Sequence, residues 1–196
     1  HEIIEYDIQS AGYNISKYYK LLDDNTLDLL GRMEKHKRHV HIGLLCKNNK
    51  DYNDKLKEAF KNIRKEFFIA NNLVDDDILS IKKDAIFLLK PVFNTEFDNV
   101  KFIEKNAYSS YYYINKKEFY SSMSRIDVKG ISDDKLEPHR EYLLEFMHYI
   151  FKMVETSDIK YVIKELVAFI DAYRNKQLDV GYYRELNDEC SFRLYD

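Results

Sequence analysis

Hydrophobic and polar positions change their period several times along this chain. Glu2-Ile-Ile-Glu-Tyr-Asp-Ile8 is short and Ile-rich, which predicts a buried strand ending near Asp7. The spacing then turns helical through Ile15, Tyr18, Tyr19 and Leu22. It resumes through Leu27, Leu30 and Met33 after Asp23-Asp24-Asn25, a break suited to capping a new helix. A polar stop at Lys47-Asn-Asn-Lys50 precedes a long amphipathic helix, with Leu56, Ala59, Phe60, Ile63, Phe67 and Ala70 on one stripe.

Beyond Asp75 the pattern shortens. Ile78-Leu-Ser-Ile81 and Ala85-Ile-Phe-Leu-Leu89 bracket Lys82-Lys83-Asp84, which reads as a β-hairpin with Asp84 at or beside its turn. Strand-like runs follow at 100–103, 107–114, 118–122 and 125–128, punctuated by Asn115-Lys-Lys and Gly130. From Asp133 the helical period returns, through Leu143, Phe146, Met147, Ile150 and Val154, then Val162, Ile163, Leu166, Phe169 and Ile170. The expected architecture is α+β: a small, mostly antiparallel sheet from residues 2–8 and 78–128, covered on one face by helices from 13–71. A C-terminal helical subdomain completes it, giving an α+β domain over 1–131 and a helical part over 132–196.

Composition narrows the function classes. In 196 residues, 45% are hydrophobic and 15% aromatic, enough for a sizeable core and too many for a disordered chain. No run approaches the roughly 18 apolar residues of a membrane span. Five Gly and two Pro exclude Gly-rich phosphate loops, and two Cys exclude a disulfide framework. Without a visible signal or targeting motif, the expected location is cytoplasmic. His1 stands where Met would, inside an apolar run, so the expectation is a trimmed chain or one beginning partway through a longer protein. The net charge of −3 hides an asymmetry. Residues 35–65 carry 10 basic and 3 acidic side chains, a local +7; residues 133–196 carry 9 and 14, a local −5. A basic second quarter suits a nucleic acid or a triphosphate, or is simply a solvated helix face.

Asp7 and Asp84 are the most informative pair. Each sits at the end or turn of an apolar strand, where solubility does not call for a carboxylate. Two carboxylates brought together from neighbouring strands repel unless a cation lies between them. Magnesium suits such a place, because it takes oxygen ligands and leaves positions for water or phosphate. The alternative is structural: Asp7 caps the next helix and Asp84 is a turn residue.

The surrounding residues resemble a known family. Tyr6-Asp7-Ile8-Gln9-Ser10 before a helix is similar to the first palm motif of family B DNA polymerases, an Asp with a Ser three residues on. Lys82-Lys83-Asp84-Ala85-Ile86-Phe87 is similar to the hairpin of the other catalytic motif. Glu104-Lys105-Asn106-Ala107-Tyr108 resembles the Lys-x-x-Tyr segment that holds the primer end, and Arg125-Ile-Asp-Val-Lys-Gly130 the short strand after it. The order matches over residues 1–131, and the helices beyond stand where a thumb begins. Lys82 replaces the first Asp of the family's Asp-x-Asp, and Gly12, with Tyr13 one place on, stands where a bulky aromatic meets the sugar. The nearest counterpart of the fingers motif is Lys35-His-Lys-Arg38 leading to Ile42-Gly43. These departures imply a miniature or degenerate palm, or one piece of a larger assembly. The chain also resembles proteins encoded by large bacteriophages, which would place it in a bacterial host's cytoplasm.

The resemblance implies a palm-like sheet and a division of roles. Asp7 and Asp84 would be catalytic and, with Ile8, form the set holding two magnesium ions. Ser10, Gly12, Tyr13, Lys35 and Arg38 would face a nucleoside triphosphate; Lys105, Tyr108 and Lys129 would grip nucleic acid near a 3′ end. Three functions follow: a metal-dependent nucleotidyltransferase, a non-catalytic nucleic-acid-binding or assembly subunit keeping the palm shape, or a magnesium nuclease. Partner subunits are compatible with all three. Two lesser candidates remain. His36, His39, His41 and Cys46 invite a zinc reading that their spacing supports poorly. Of the tyrosines at 108–113, strand alternation places Tyr111 and Tyr113 on one face, Tyr108 and Tyr112 on the other. No Ser-His-Asp or Cys-His signature supports acyl transfer.

Overall fold

A computed structural model describes residues 2–122, 125–132, 134, 140–156, 158–175 and 177, without the side chains of 125, 140–146 and 173. Its first unit, ending at Tyr108, is built on strand β1 (Ile3–Ile8). Apolar side chains on both faces suit β1 to a central position. It pairs antiparallel with β3 (Ala85–Leu88) on one side and β5 (Val100–Tyr108) on the other. β2 (Ile78–Lys82) and the two-residue β4 (Glu96–Phe97) complete a five-stranded sheet in the order β2-β3-β1-β5-β4. The expected hairpin is present as β2–β3, with Ile81 opposite Ile86 and Lys82 opposite Ala85.

Four helices cover one face: α1 (Ala11–Tyr18), α2 (Asp24–Gly31), α3 (Lys35–Asn48) and α4 (Lys50–Ala70). Asp23 caps α2, accepting from the Thr26 N–H at 2.9 Å and hydroxyl at 2.7 Å, so the acidic break does start a helix. Asn49 caps α4 in the same way through the Tyr52 N–H at 3.0 Å. The stripe on α4 buries Leu56, Ala59, Ile63 and Phe67 against Ile4, Tyr6 and Ile8 of β1 and Phe102 of β5. Phe67 stacks on Phe102 with ring centroids 4.1 Å apart. Fully burying one such side chain contributes about 1.5–3 kcal/mol, so this stripe fixes how the helices lie on the sheet.

The second unit starts at Ser109, well before the boundary expected near residue 131. β6 (Ser110–Ile114), β7 (Lys117–Ser122) and β8 (Arg125–Lys129) form a separate antiparallel sheet of three strands. Helices α5 (Arg140–Thr156) and α6 (Ile159–Arg174) follow it. Phe151 of α5 packs with Phe119 and Ile126, and stacks on Tyr112 at 3.8 Å. The single sheet expected over 2–8 and 78–128 is therefore two sheets, and the run 107–114 is two strands. At the break, Ser109 donates its N–H to the Ser121 carbonyl at 2.8 Å, pairing with β7 instead of β1. Periodicity reports that a segment is extended, not which strand it pairs with. The C-terminal part thus combines a sheet with helices, and residues 178–196 of the expected helical part lie outside the described residues. Among the described residues no helix is long and apolar enough to cross a membrane.

Candidate functional site

Alternation along β1 sorts its side chains to two faces. Ile4, Tyr6 and Ile8 meet the helices; Ile3, Glu5 and Asp7 belong to the other face. Glu5 is only 1% exposed, and a carboxylate so buried requires donors. Asn106 Nδ2 donates to its Oε2 at 2.6 Å, and the Tyr108 hydroxyl donates to the same oxygen at 2.9 Å.

Beside Glu5 the β1–β5 ladder slips. Glu5 opposes Asn106, yet Tyr6 opposes Glu104, so Lys105 is an extra residue bulged out of β5. Its ammonium meets Asp7 Oδ2 at 3.2 Å. Asp7 is not a helix cap; the residue at the N-cap of α1 is Ser10, whose side chain makes no capping bond.

Asp84 comes to the same end of β1 from the β2–β3 turn. Asp7 opposes Ala85, and the Ile8 N–H donates to the Asp84 carbonyl at 3.0 Å. The turn is left-handed at Lys83 (φ 44°), and Arg64 of α4 holds it by donating Nη1 to the Lys83 carbonyl at 2.7 Å. Burial pushes the Asp84 pKa above the usual carboxylate value, and the Asp7 charge pushes it further, while Lys105 and Lys83 pull it back in part. For Lys105, burial is the largest single influence and opposes the charge. The hydrogen bond to Asp7, with the fields of Asp7, Glu5 and Asp84, outweighs it and leaves the pKa above that of an ordinary lysine. Asp7, Asp84 and Lys105 thus act as one charge cluster, two carboxylates against one ammonium.

The other expected site residues are placed as follows. Ser10 sits in the left-handed region (φ 46°) at the start of α1. Gly12 faces α3: a Cβ there would meet Ile42 Cγ2 at 3.0 Å, so close packing of two helices explains this glycine. Tyr13 lies under the Arg38 guanidinium, 4.8 Å from its ring centroid, and Arg38 also donates to the Met33 carbonyl at 3.3 Å. The Arg38 Nε is buried without a hydrogen-bond partner. Lys35 is exposed at the first turn of α3. Tyr108 is 2% exposed with its hydroxyl on Glu5, which puts its ring in the sheet's interior and not on a surface. Lys129 closes β8 in the second unit, opposite Glu118. Tyr112 packs on α5 and Tyr113 is exposed, while Tyr108 belongs to the other sheet.

Two contributors escaped the sequence reading. Glu5 had a signal, since it lies two residues before Asp7 in a strand and so shares its face. Arg64 had none, because its role depends on α4 crossing the hairpin turn.

The donor set at Asp7 and Asp84 consists of hard oxygens, which fits magnesium sharing its shell with water or phosphate. Among the described residues, no three His, Cys, Asp or Glu side chains form a group able to hold a metal by themselves. That holds also for His36, His39, His41 and Cys46; Cys46 is a free, half-buried thiol whose pKa burial raises.

A protein-family model described as "Bacteriophage PBS1 gene 130 protein" matches residues 1–191. No curated protein and no solved structure matches.

Proposed function

The chain belongs to the bacteriophage PBS1 gene 130 protein family, and with that premise we propose that it is a metal-dependent nucleotidyltransferase with a polymerase-like palm, acting on a nucleic-acid 3′ end. The observation that carries this reading is the meeting of Asp7 and Asp84 at one end of β1, where the Ile8 N–H bonds to the Asp84 carbonyl at 3.0 Å. Burial and the Asp7 charge both raise the Asp84 pKa, so a cation between the two would relieve a repulsion already built into the fold. Asp7, Ile8 and Asp84 would hold magnesium, whose chemistry there is activation of an attacking hydroxyl and neutralisation of a leaving pyrophosphate. Lys35 and Arg38, on one side of α3 at a spacing of three, supply positive charge suited to a triphosphate. Lys105 and Lys129 supply ammonium groups suited to nucleic-acid phosphates.

A second reading is a non-catalytic nucleic-acid-binding or assembly subunit that keeps the palm shape. Its specific support is the 3.2 Å ion pair of Lys105 with Asp7, together with a lysine at position 82 where the resembled motif has its first Asp.

The test is nucleotide incorporation on primed templates of DNA and RNA, using the full chain with magnesium. Asp7→Asn and Asp84→Asn are each expected to lower incorporation by at least about a hundredfold. Full incorporation by either variant overturns the catalytic assignment. Binding of nucleic acid that ignores magnesium, without turnover, establishes the second reading. Strand shortening without added nucleotide would instead make the site a nuclease.

A further inference from the structure

The bulge in β5 does more than add a residue. Had the ladder continued from the Glu5–Asn106 pair without a slip, Lys105 would oppose Tyr6 and Glu104 would oppose Asp7. Directly opposed residues share a face, so Asp7 would then confront a third carboxylate from the neighbouring strand. The slip moves Glu104 opposite Tyr6 and Ile103 opposite Asp7, and leaves Lys105 as the extra residue. Its ammonium is then placed 3.2 Å from Asp7 Oδ2. One inserted residue thus exchanges a carboxylate for a cation at Asp7. Bulges serve in this way to re-aim a side chain beside a functional site.

The ammonium is no part of the helix-side core, which lies on the opposite face of the sheet. Nor is the pair fully buried: the Asp7 side chain is 22% exposed and that of Lys105 is 48% exposed. Lys105 is therefore free to swing away without unfolding anything, and water and small ions can reach Asp7 when it does. The same ammonium lies in the field of Asp84, so it interacts with both carboxylates of the cluster.

We propose that Lys105 is a built-in counterion, which occupies the cation position at Asp7 in the free protein and must be displaced for a divalent cation to bind. This rests on the reading of Asp7 and Asp84 as cation ligands. The lysine then sets the affinity of the site: a divalent ion gains two carboxylates but has to break the Asp7–Lys105 pair. The site is held weak for free metal by its own chain.

Mn2+ titration of the full chain tests this directly, followed by calorimetry and by the electron paramagnetic resonance of free Mn2+, at fixed pH and ionic strength. Lys105→Met keeps the length and apolar stem of the side chain and removes the charge. It is expected to bind Mn2+ about tenfold more tightly than the unmodified protein. Lys105→Arg keeps the charge and is expected to stay within about twofold of it. Asp7→Asn, alone or combined with Lys105→Met, is expected to abolish the site. Should Lys105→Met not fold, Lys105→Gln is read in the same way. If removing the charge leaves the affinity unchanged or weaker while Asp7→Asn still abolishes binding, the counterion role is overturned and the cation site stands. If neither the unmodified protein nor the charge-free variant shows Asp7-dependent Mn2+ binding, the cation site and the counterion role fall together.

Discussion

The two faces of β1 are made by alternate residues of one six-residue strand, yet they are held by different physics. On the helix side, Ile4, Tyr6 and Ile8 join a continuous core with Ile15, Ile63 and Phe67. Each is held by many neighbours through non-directional contacts, so the face is insensitive to the detailed chemistry of any one of them. On the other side, Glu5 and Asp7 are held by named partners: Asn106 and Tyr108 for Glu5, Lys105 for Asp7. Contacts of this kind are directional and few, and their energies depend on charge state. The helix face is held by packing; the other adds to its buried Ile3 and Glu5 a charge cluster whose occupancy the surroundings can change.

Substitutions on the two faces should therefore separate cleanly, and the largest effect belongs to the core. Phe67 is fully buried and stacked on Phe102 at 4.1 Å; Phe67→Ala is expected to cost about 3–5 kcal/mol in urea unfolding. The fraction still folded should bind Mn2+ as the unmodified protein does. A change in that affinity would mean that the two faces are not independent.

Glu5→Ala should rank next, at about 2 kcal/mol, because it removes the acceptor shared by the Asn106 amide and the Tyr108 hydroxyl. Glu5→Gln, which retains an acceptor oxygen, should cost less. Equal losses in the two variants would show that packing, not hydrogen bonding, holds this position.

Asp84→Asn should have the smallest effect and the opposite sign, a gain of up to about 1 kcal/mol near neutral pH in the presence of a chelator. The folded pKa of Asp84 lies above its ordinary value because of burial and then of Asp7, so the native state binds more protons than the unfolded chain between those two values. The favourable contribution is complete below the ordinary carboxylate pKa and is lost as pH rises through the raised folded pKa. Asp84→Asn removes that loss and should flatten this part of the stability profile. Urea midpoints measured across the acid range decide the matter: a variant that is less stable at neutral pH would show that the Asp84 charge is already compensated.

Much of the first unit was legible from its sequence because the signals are local. The Ile-rich run at β1, the Asp23-Asp24-Asn25 break, the α4 stripe and the 82–84 hairpin tip all depend on residues within a few positions of one another. Asp7 and Asp84 stood out for the same reason, as carboxylates at the ends of apolar runs. Gly12 was legible only as an anomaly, because its explanation, Ile42 at 3.0 Å from where a Cβ would stand, comes from a helix thirty residues along. The 107–114 run hid a change of partner, since both halves are extended and only pairing tells them apart.

The sequence by itself determined the α+β class, the places of β1, of the β2–β3 hairpin and of α4, which side of α4 is buried, and which two carboxylates sit at the end or turn of apolar strands. Those properties follow from side-chain period and local hydrogen bonding, which act within one element. Tertiary structure alone decided that the strands divide into two sheets after Tyr108, that Arg64 props the Asp84 turn, and that a one-residue slip puts Lys105 on Asp7 in place of Glu104. The physical reason is register. A period-two pattern reads the same whichever strand it pairs with, and one bulged residue changes every opposition beyond it without altering the pattern that announced the strand.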